Sequence, residues 1–294
     1  MNAIKSALPL VLAVMFGPAP AWSAPIFGAD LASFAVLAAA GVTNVPTSTI
    51  SGNLGSSPNA SVGGGYVFSA GSIQQNTAIA ASAQLQLDQA ILDLNAFAGT
   101  STFFSNGVAT IYSPGVYDGG AVTFGADVLL DGGGNANAVW IFRTMSTLIT
   151  STTANVTVAN VGTGAGVGVY WVVGSAATLN GPQFVGNVLA RDLISSDGAL
   201  TLSCGRLLSA TAQVTLIQDT ISNACMDTGI PGATAVSSSG GFDQGSSLGS
   251  GGSGGSGGQV VNGVAEPASL ALVTLGLAGL GLRSSRGTSA VPMR

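Results

Sequence analysis

Histidine is absent from the 294 residues, and lysine and glutamate occur once each, as Lys5 and Glu266. Without His no Ser-His-Asp triad can be assembled. The two Cys, with no His beside them, do not make a zinc site. Charged residues are 6 % of the chain, against about 25 % in an ordinary soluble domain. Between Pro25 and Gly258 only Arg143, Arg191 and Arg206 stand against eleven Asp. Such a mildly acidic body, with its few Arg scattered, is no partner for nucleic acid, because phosphate binding needs clustered Lys and Arg. Long hydrophobic runs are missing from the same body, which never reaches the ~18 consecutive apolar residues of a membrane helix. No metal and no cofactor are expected.

The two ends read as addresses. Met1 to Lys5 is a short basic start, Ala7 to Phe16 an apolar run, and Ala19-Pro20-Ala21 and Ala21-Trp22-Ser23 both fit a signal-peptidase site. Residues 1–23 are therefore expected to be a secretory signal peptide and are set apart from the fold. Residues 229–262 form a Gly/Ser-rich linker, a flexible tether by composition. Residues 263–294 hold Val264-Ala265-Glu266-Pro267, an apolar run from Leu270 to Leu282, and then Arg283 and Arg286. This order resembles the PEP-CTERM sorting signal of Gram-negative bacteria, with Ala265 where the first Pro is usual. The resemblance implies transient membrane insertion, cleavage near Glu266 and Pro267, and delivery to the cell surface or the extracellular matrix. Export agrees with an even Cys count. A Cys204–Cys225 bond would close a loop of about 20 residues, worth roughly 3 kcal/mol by chain entropy.

Residues 24–228 make the folded body. Ser72 to Phe97 lacks Gly and Pro, and Ala83, Leu87, Ala90, Ile91, Leu94 and Phe97 recur at three- and four-residue steps. This predicts one amphipathic helix over about 72–97, opened by a capping box at Ser72-Ile73-Gln74-Gln75 and stopped at Gly99. The rest is short Val, Ile, Leu, Thr and Phe runs between Gly, Asn, Asp and Ser turns, which read as strands. Gly186-Asn187-Val188-Leu189-Ala190 recurs nineteen residues later as Gly205-Arg206-Leu207-Leu208-Ser209, and Leu193-Ile194-Ser195 then matches Val214-Thr215-Leu216. A period near 20 with short strands suits a β-helix coil; a β-sandwich is the competing arrangement.

Several blocks, in order, resemble the DUF3494-type ice-binding proteins of cold-adapted microbes. They are Phe34 to Ala38, Gly41 to Asn44, Ile50 to Pro58, the helix, Tyr112 to Tyr117, Leu130-Asp131-Gly132 with Asn137 to Phe142, Val169 to Leu179, and Phe184 to Ala190. The resemblance implies a mostly β fold: a right-handed, irregular β-solenoid of triangular section, the helix packed alongside, and the first and last strands neighbours in space. It also implies an exported antifreeze or ice-recrystallisation-inhibiting protein, with ice or ordered water as its partner.

Solenoid coils stack at about 4.8 Å and alternate residues along a strand lie about 6.7 Å apart, so a flat side presents a two-dimensional grid. Repeats on ice planes are of similar size. Thr, Ser and Asn on such a grid can anchor ordered water, and Ala, Gly and methyl groups keep it flat. The expected contacts are Thr147, Thr150, Thr178, Asn180, Ser196 and Thr215, with Thr178 and Thr215 at equivalent places of the repeat. Thr is also a good strand former that covers any solvated β-face, and Pro182, Gln183 and Asp197 intrude in or beside the zone. Catalysis is not expected. The close Asp pairs, Asp127 with Asp131 and Asp192 with Asp197, sit in turns where Asp bonds local backbone. Trp140 and Trp171 lie in apolar strands and read as core. A structural or adhesive matrix protein, held to extracellular polysaccharide, is the other open reading at this point.

Overall fold

The computed structural model describes residues 26–225 except Thr163 and Ala165. The segments expected to be a signal peptide, a linker and a sorting signal lie outside the described residues. Within them the chain winds into stacked coils of short parallel strands with three sides. One coil runs Val139–Thr144, Leu148–Thr150, Val156–Ala159. It stacks in register on Gly115–Gly119, Val122–Phe124 and Val128–Asp131 of the coil before it.

The first side has nine strands, from Ser101–Thr102 at one end to Ile73–Gln75 at the other. Eight spacings of ~4.8 Å make it about 38 Å tall. The helix Ala78–Ala96 lies along it. Its 19 residues reach about 28 Å at ~1.5 Å each, so with its flanking residues it returns the chain from one end of the stack to the other. The chain starts in mid-stack, runs to one end, crosses on the helix, and winds back until its last coil meets its first. Val36 pairs with Leu207, Val42 with Val214, and Ile50 with Ile221. The expected nearness of first and last strands is therefore present.

The helix begins later than its composition suggests. Ile73–Gln75 is a strand paired with Asn53–Ser56, so the expected capping box at Ser72 does not form. Thr77 is the N-cap, and its hydroxyl accepts from the Ala80 N–H, as short hydroxyl side chains do at helix starts. The helix ends at Ala96 with Phe97 as C-cap, before Gly99. Ala80, Ala83, Leu87, Ala90 and Leu94 are buried against Val116, Ile141, Tyr170, Leu189 and Leu208 of the first side. Arg143 fastens the helix end: it donates to the carbonyls of Asn95 and Phe97 at 2.9 and 2.6 Å. It also pairs through two nitrogens with Asp118.

Inside the coils the aromatic residues form a column. Tyr117, Phe142 and Trp171 occupy the same register on successive rungs, with Phe142 and Trp171 stacked at 4.2 Å. Trp140 and Trp171 are buried and donate their indole N–H groups to the Tyr112 and Val185 carbonyls, as buried indoles require.

The repeat aligns as the sequence suggests in its first half, Asn187 with Arg206 through Ala190 with Ser209. Its second half is one residue off the expectation: Ile194 pairs with Val214 and Ser195 with Thr215. The two glycines of the repeat sit where long strands turn from the third side to the first. Gly186 holds φ at +94°, and a Cβ on Gly205 would lie 2.0 Å from the Gly186 carbonyl oxygen, so neither place admits a side chain without a shift. Cys204 and Cys225 are bonded at that same edge.

Candidate functional site

The second side comprises Val122–Phe124, Leu148–Thr150, Ala177–Leu179, Ile194–Ser196, Gln213–Ile217, Gly41–Val45 and Val62–Gly63, all parallel. Side chains alternate in and out along each strand. Val122, Leu148, Ala177, Ile194, Val214 and Val42 are buried, which turns the residue after each of them outward. The register then makes one outward column: Thr123, Ile149, Thr178, Ser195, Thr215, Thr43, Gly63. Along this column Thr43 Oγ1 donates to Thr215 Oγ1 at 3.2 Å and Ser195 Oγ to Thr178 Oγ1 at 3.4 Å. Hydroxyls from adjacent coils thus stand one rung apart.

Two flanking columns complete the side. Thr147, Ala176 and Leu193 lie two residues before the central position, and Ser151, Asn180, Asp197 and Ile217 two residues after it. Asp197 is exposed and is the one charge among the three columns. Pro182 and Gln183 do not intrude here; Gln183 pairs with Thr201 on the third side.

Of the residues expected from sequence, Thr178 and Thr215 stand in the central column, and Thr147 and Asn180 flank it. Thr150 and Ser196 do not belong to the surface. Both point inward, 1 % and 4 % exposed. Thr150 follows Leu148 by two residues, and period two puts them on the same face. Its Oγ1 accepts from the N–H groups of Asn180 at 2.9 Å and Gly181 at 3.0 Å. Ser196 shares the inward face with Ile194; its hydroxyl donates to Asp219 and accepts from the Ile217 N–H. Burial pushes the Asp219 carboxyl up from its ordinary range, against the donors Ser196, Ile217 and Leu200 that pull it down. Thr43, Thr123 and Ser195 were missed. Their residue types carry no signal; their place comes from which coil stacks on which.

Asp131 and Asp127 hold turns between coils. Asp131 accepts from the Gly133 N–H and from Asn160 of the next coil, which together hold its carboxyl below the ordinary value. Asp127 binds Asn155 of the next coil through backbone and side chain, rather than its own backbone. Among the described residues no three His, Cys, Asp or Glu are grouped to hold a metal ion.

The family described as Ice-binding-like matches residues 36–222. An ice-binding protein of Nostoc sp. (strain HG1) is 33% identical over 198 residues, which are 66% of this chain and 72% of that protein. The crystal structure of an ice binding protein from an Antarctic Biological Consortium superposes with a TM-score of 0.61 at 30% identity, covering 74% of this chain and 95% of that one. That of an ice-binding protein from the Antarctic ascomycete Antarctomyces psychrotrophicus gives 0.58 at 27% identity, covering 66% and 96%.

Proposed function

Because the chain belongs to the ice-binding-like family, we propose that it is an antifreeze-type protein that adsorbs to ice through its second side. The observation that carries this reading is the in-register column from Thr123 to Thr43, hydroxyl-bearing on five of its first six rungs. Rungs ~4.8 Å apart and outward positions ~6.7 Å apart along each strand form a rigid grid. Hydroxyls on the grid hold water oxygens at fixed places, while the methyl groups of Thr, Ile149 and Ala176 leave little other water to displace. A template already ordered loses little entropy on adsorption, so many weak contacts add up. The coil winds right-handed, the sense parallel crossovers almost always take.

The protein works outside the cytoplasm. Support comes from the signal-like residues 1–23, the Ala265-Glu266-Pro267 motif with its apolar run, and a bonded Cys pair of the kind that persists in oxidising compartments.

The test is ice-affinity partitioning of the oxidised protein, beside recrystallisation inhibition. Thr178→Tyr with Thr215→Tyr is expected to cut partitioning about tenfold, ~1.4 kcal/mol, with the fold intact by circular dichroism. Absence of any partitioning by the unsubstituted protein at micromolar concentration would refute the proposal.

A further inference from the structure

We propose that the third side carries a second ice-contacting site, the ladder Thr201, Thr220, Thr49, which faces another direction and takes another ice plane. The inference rests on the reading of the second side, since it asks what else on this chain has the same chemistry. Three rungs of the third side have the form Thr-x-Ser: Thr201-Leu202-Ser203, Thr220-Ile221-Ser222 and Thr49-Ile50-Ser51. They come from both ends of the body, and the stacking of the last coil on the first puts them in line. Thr201 pairs with Thr220, Thr220 with Thr49, and Ser222 with Ser51. The middle residues Leu202, Ile221 and Ile50 are fully buried, so all three Thr point out. Gln183 and Val67 continue the column at its two ends. Five rungs at ~4.8 Å span about 19 Å, and none of the five carries a charge.

Two further observations bear on what this ladder can bind. The first concerns the hydroxyls. On the second side they bond to one another, Thr43 to Thr215 and Ser195 to Thr178. On the third side Thr201 and Thr220 are exposed and Thr49 half-buried, and none of the three hydroxyls bonds any described residue. Each keeps its donor and its acceptor lone pairs for water.

The second is that the ladder is pinned at both margins. At the edge where its strands begin, Asp219 accepts from the Leu200 and Ile217 N–H groups and from Ser196, and its own N–H donates to Ser48. At the edge where they end, the Cys204–Cys225 bond ties the residue after Ser203 to the segment that follows Ser222. A lattice template needs its rungs held at fixed spacing, and here the buried Asp219 links all three rungs and a covalent bond links the Thr201 and Thr220 rungs.

The experiment is ice-plane affinity on a single-crystal hemisphere, with the whole oxidised chain carrying a fluorophore. The unsubstituted protein is expected to label two families of planes. Thr201→Tyr with Thr220→Tyr removes one family at least tenfold and keeps the other; Thr178→Tyr with Thr215→Tyr does the reverse. Thr201→Lys with Thr220→Lys, both at exposed positions, repeats the first result if the Tyr pair lowers the melting temperature. A single labelled family that neither Thr201/Thr220 pair alters would overturn the second site and leave the second-side reading standing. No labelling by the unsubstituted protein would overturn that reading itself, and this inference with it.

Discussion

Replacing Thr150 by Val keeps the branched shape and removes one hydroxyl, yet this change should unsettle the fold rather than the surface. Thr150 is 1 % exposed, and its Oγ1 is the acceptor for the N–H groups of Asn180 and Gly181 as the chain leaves Ala177–Leu179 for the turn. A buried donor left without a partner costs about 1–3 kcal/mol. The Gly181 N–H is buried and Asn180 only half so, so the two together cost about 2–4 kcal/mol. For a body of this size each kcal/mol moves the melting temperature about 2–4 °C, which places Thr150→Val about 4–16 °C below the unsubstituted protein. Thr178→Val is the control: one coil further on, facing outward, it should stay within about 0.5 kcal/mol. Calorimetric melts read the first quantity and ice partitioning per folded molecule the second. Thr150→Val should lose stability and keep partitioning; Thr178→Val should do the opposite. An unchanged melting temperature for Thr150→Val would refute the inward assignment and the argument from strand alternation.

Other perturbations test the supports of the stack. Reducing Cys204–Cys225, which are 21 residues apart, should cost about 3 kcal/mol, read as a drop in denaturant midpoint that reoxidation restores. Arg143→Met strips the charged donor from the Asn95 and Phe97 carbonyls and should cost about 2–3 kcal/mol, with amide exchange rising first in the last turn of the helix. Asp219 has a folded pKa above its ordinary 3.8 because burial outweighs its donors. Its contribution to stability is therefore complete below 3.8 and is lost as pH rises through the raised value. The stability of the unsubstituted protein relative to Asp219→Asn should fall from pH 3 to pH 7, and a difference that grows over that interval would contradict the burial argument.

The elements that could be read from sequence are those whose evidence is local. The helix announced itself through a Gly-free, Pro-free stretch with a stripe at Ala83, Leu87, Ala90 and Leu94, and only its start was misjudged. There Ile73–Gln75 gains more as an edge strand on Asn53–Ser56 than as a first helical turn. The nineteen-residue repeat was visible because adjacent coils are adjacent in sequence. The turn after Ser209 is one residue longer than the turn after Ala190, so the spacing grows from nineteen to twenty, where matching Leu193 with Val214 had made it twenty-one.

The site was legible only in part, because a face of a solenoid is a property of stacking. Choosing Thr147 with Thr150 mixed two faces, since residues three apart on a strand point opposite ways; Ile149, opposite Thr178, is the residue of that strand that faces out. Thr43 sits 172 residues from the Thr215 hydroxyl it bonds, and no window along the chain can join them. The same closure of last coil on first makes Thr49 continue Thr220 and Thr201. The rungs that extend both threonine columns therefore come from the oldest and the youngest parts of the winding. A substitution that loosened this seam, such as one at the Val36–Leu207 contact, would break both columns at once while leaving every individual threonine in place.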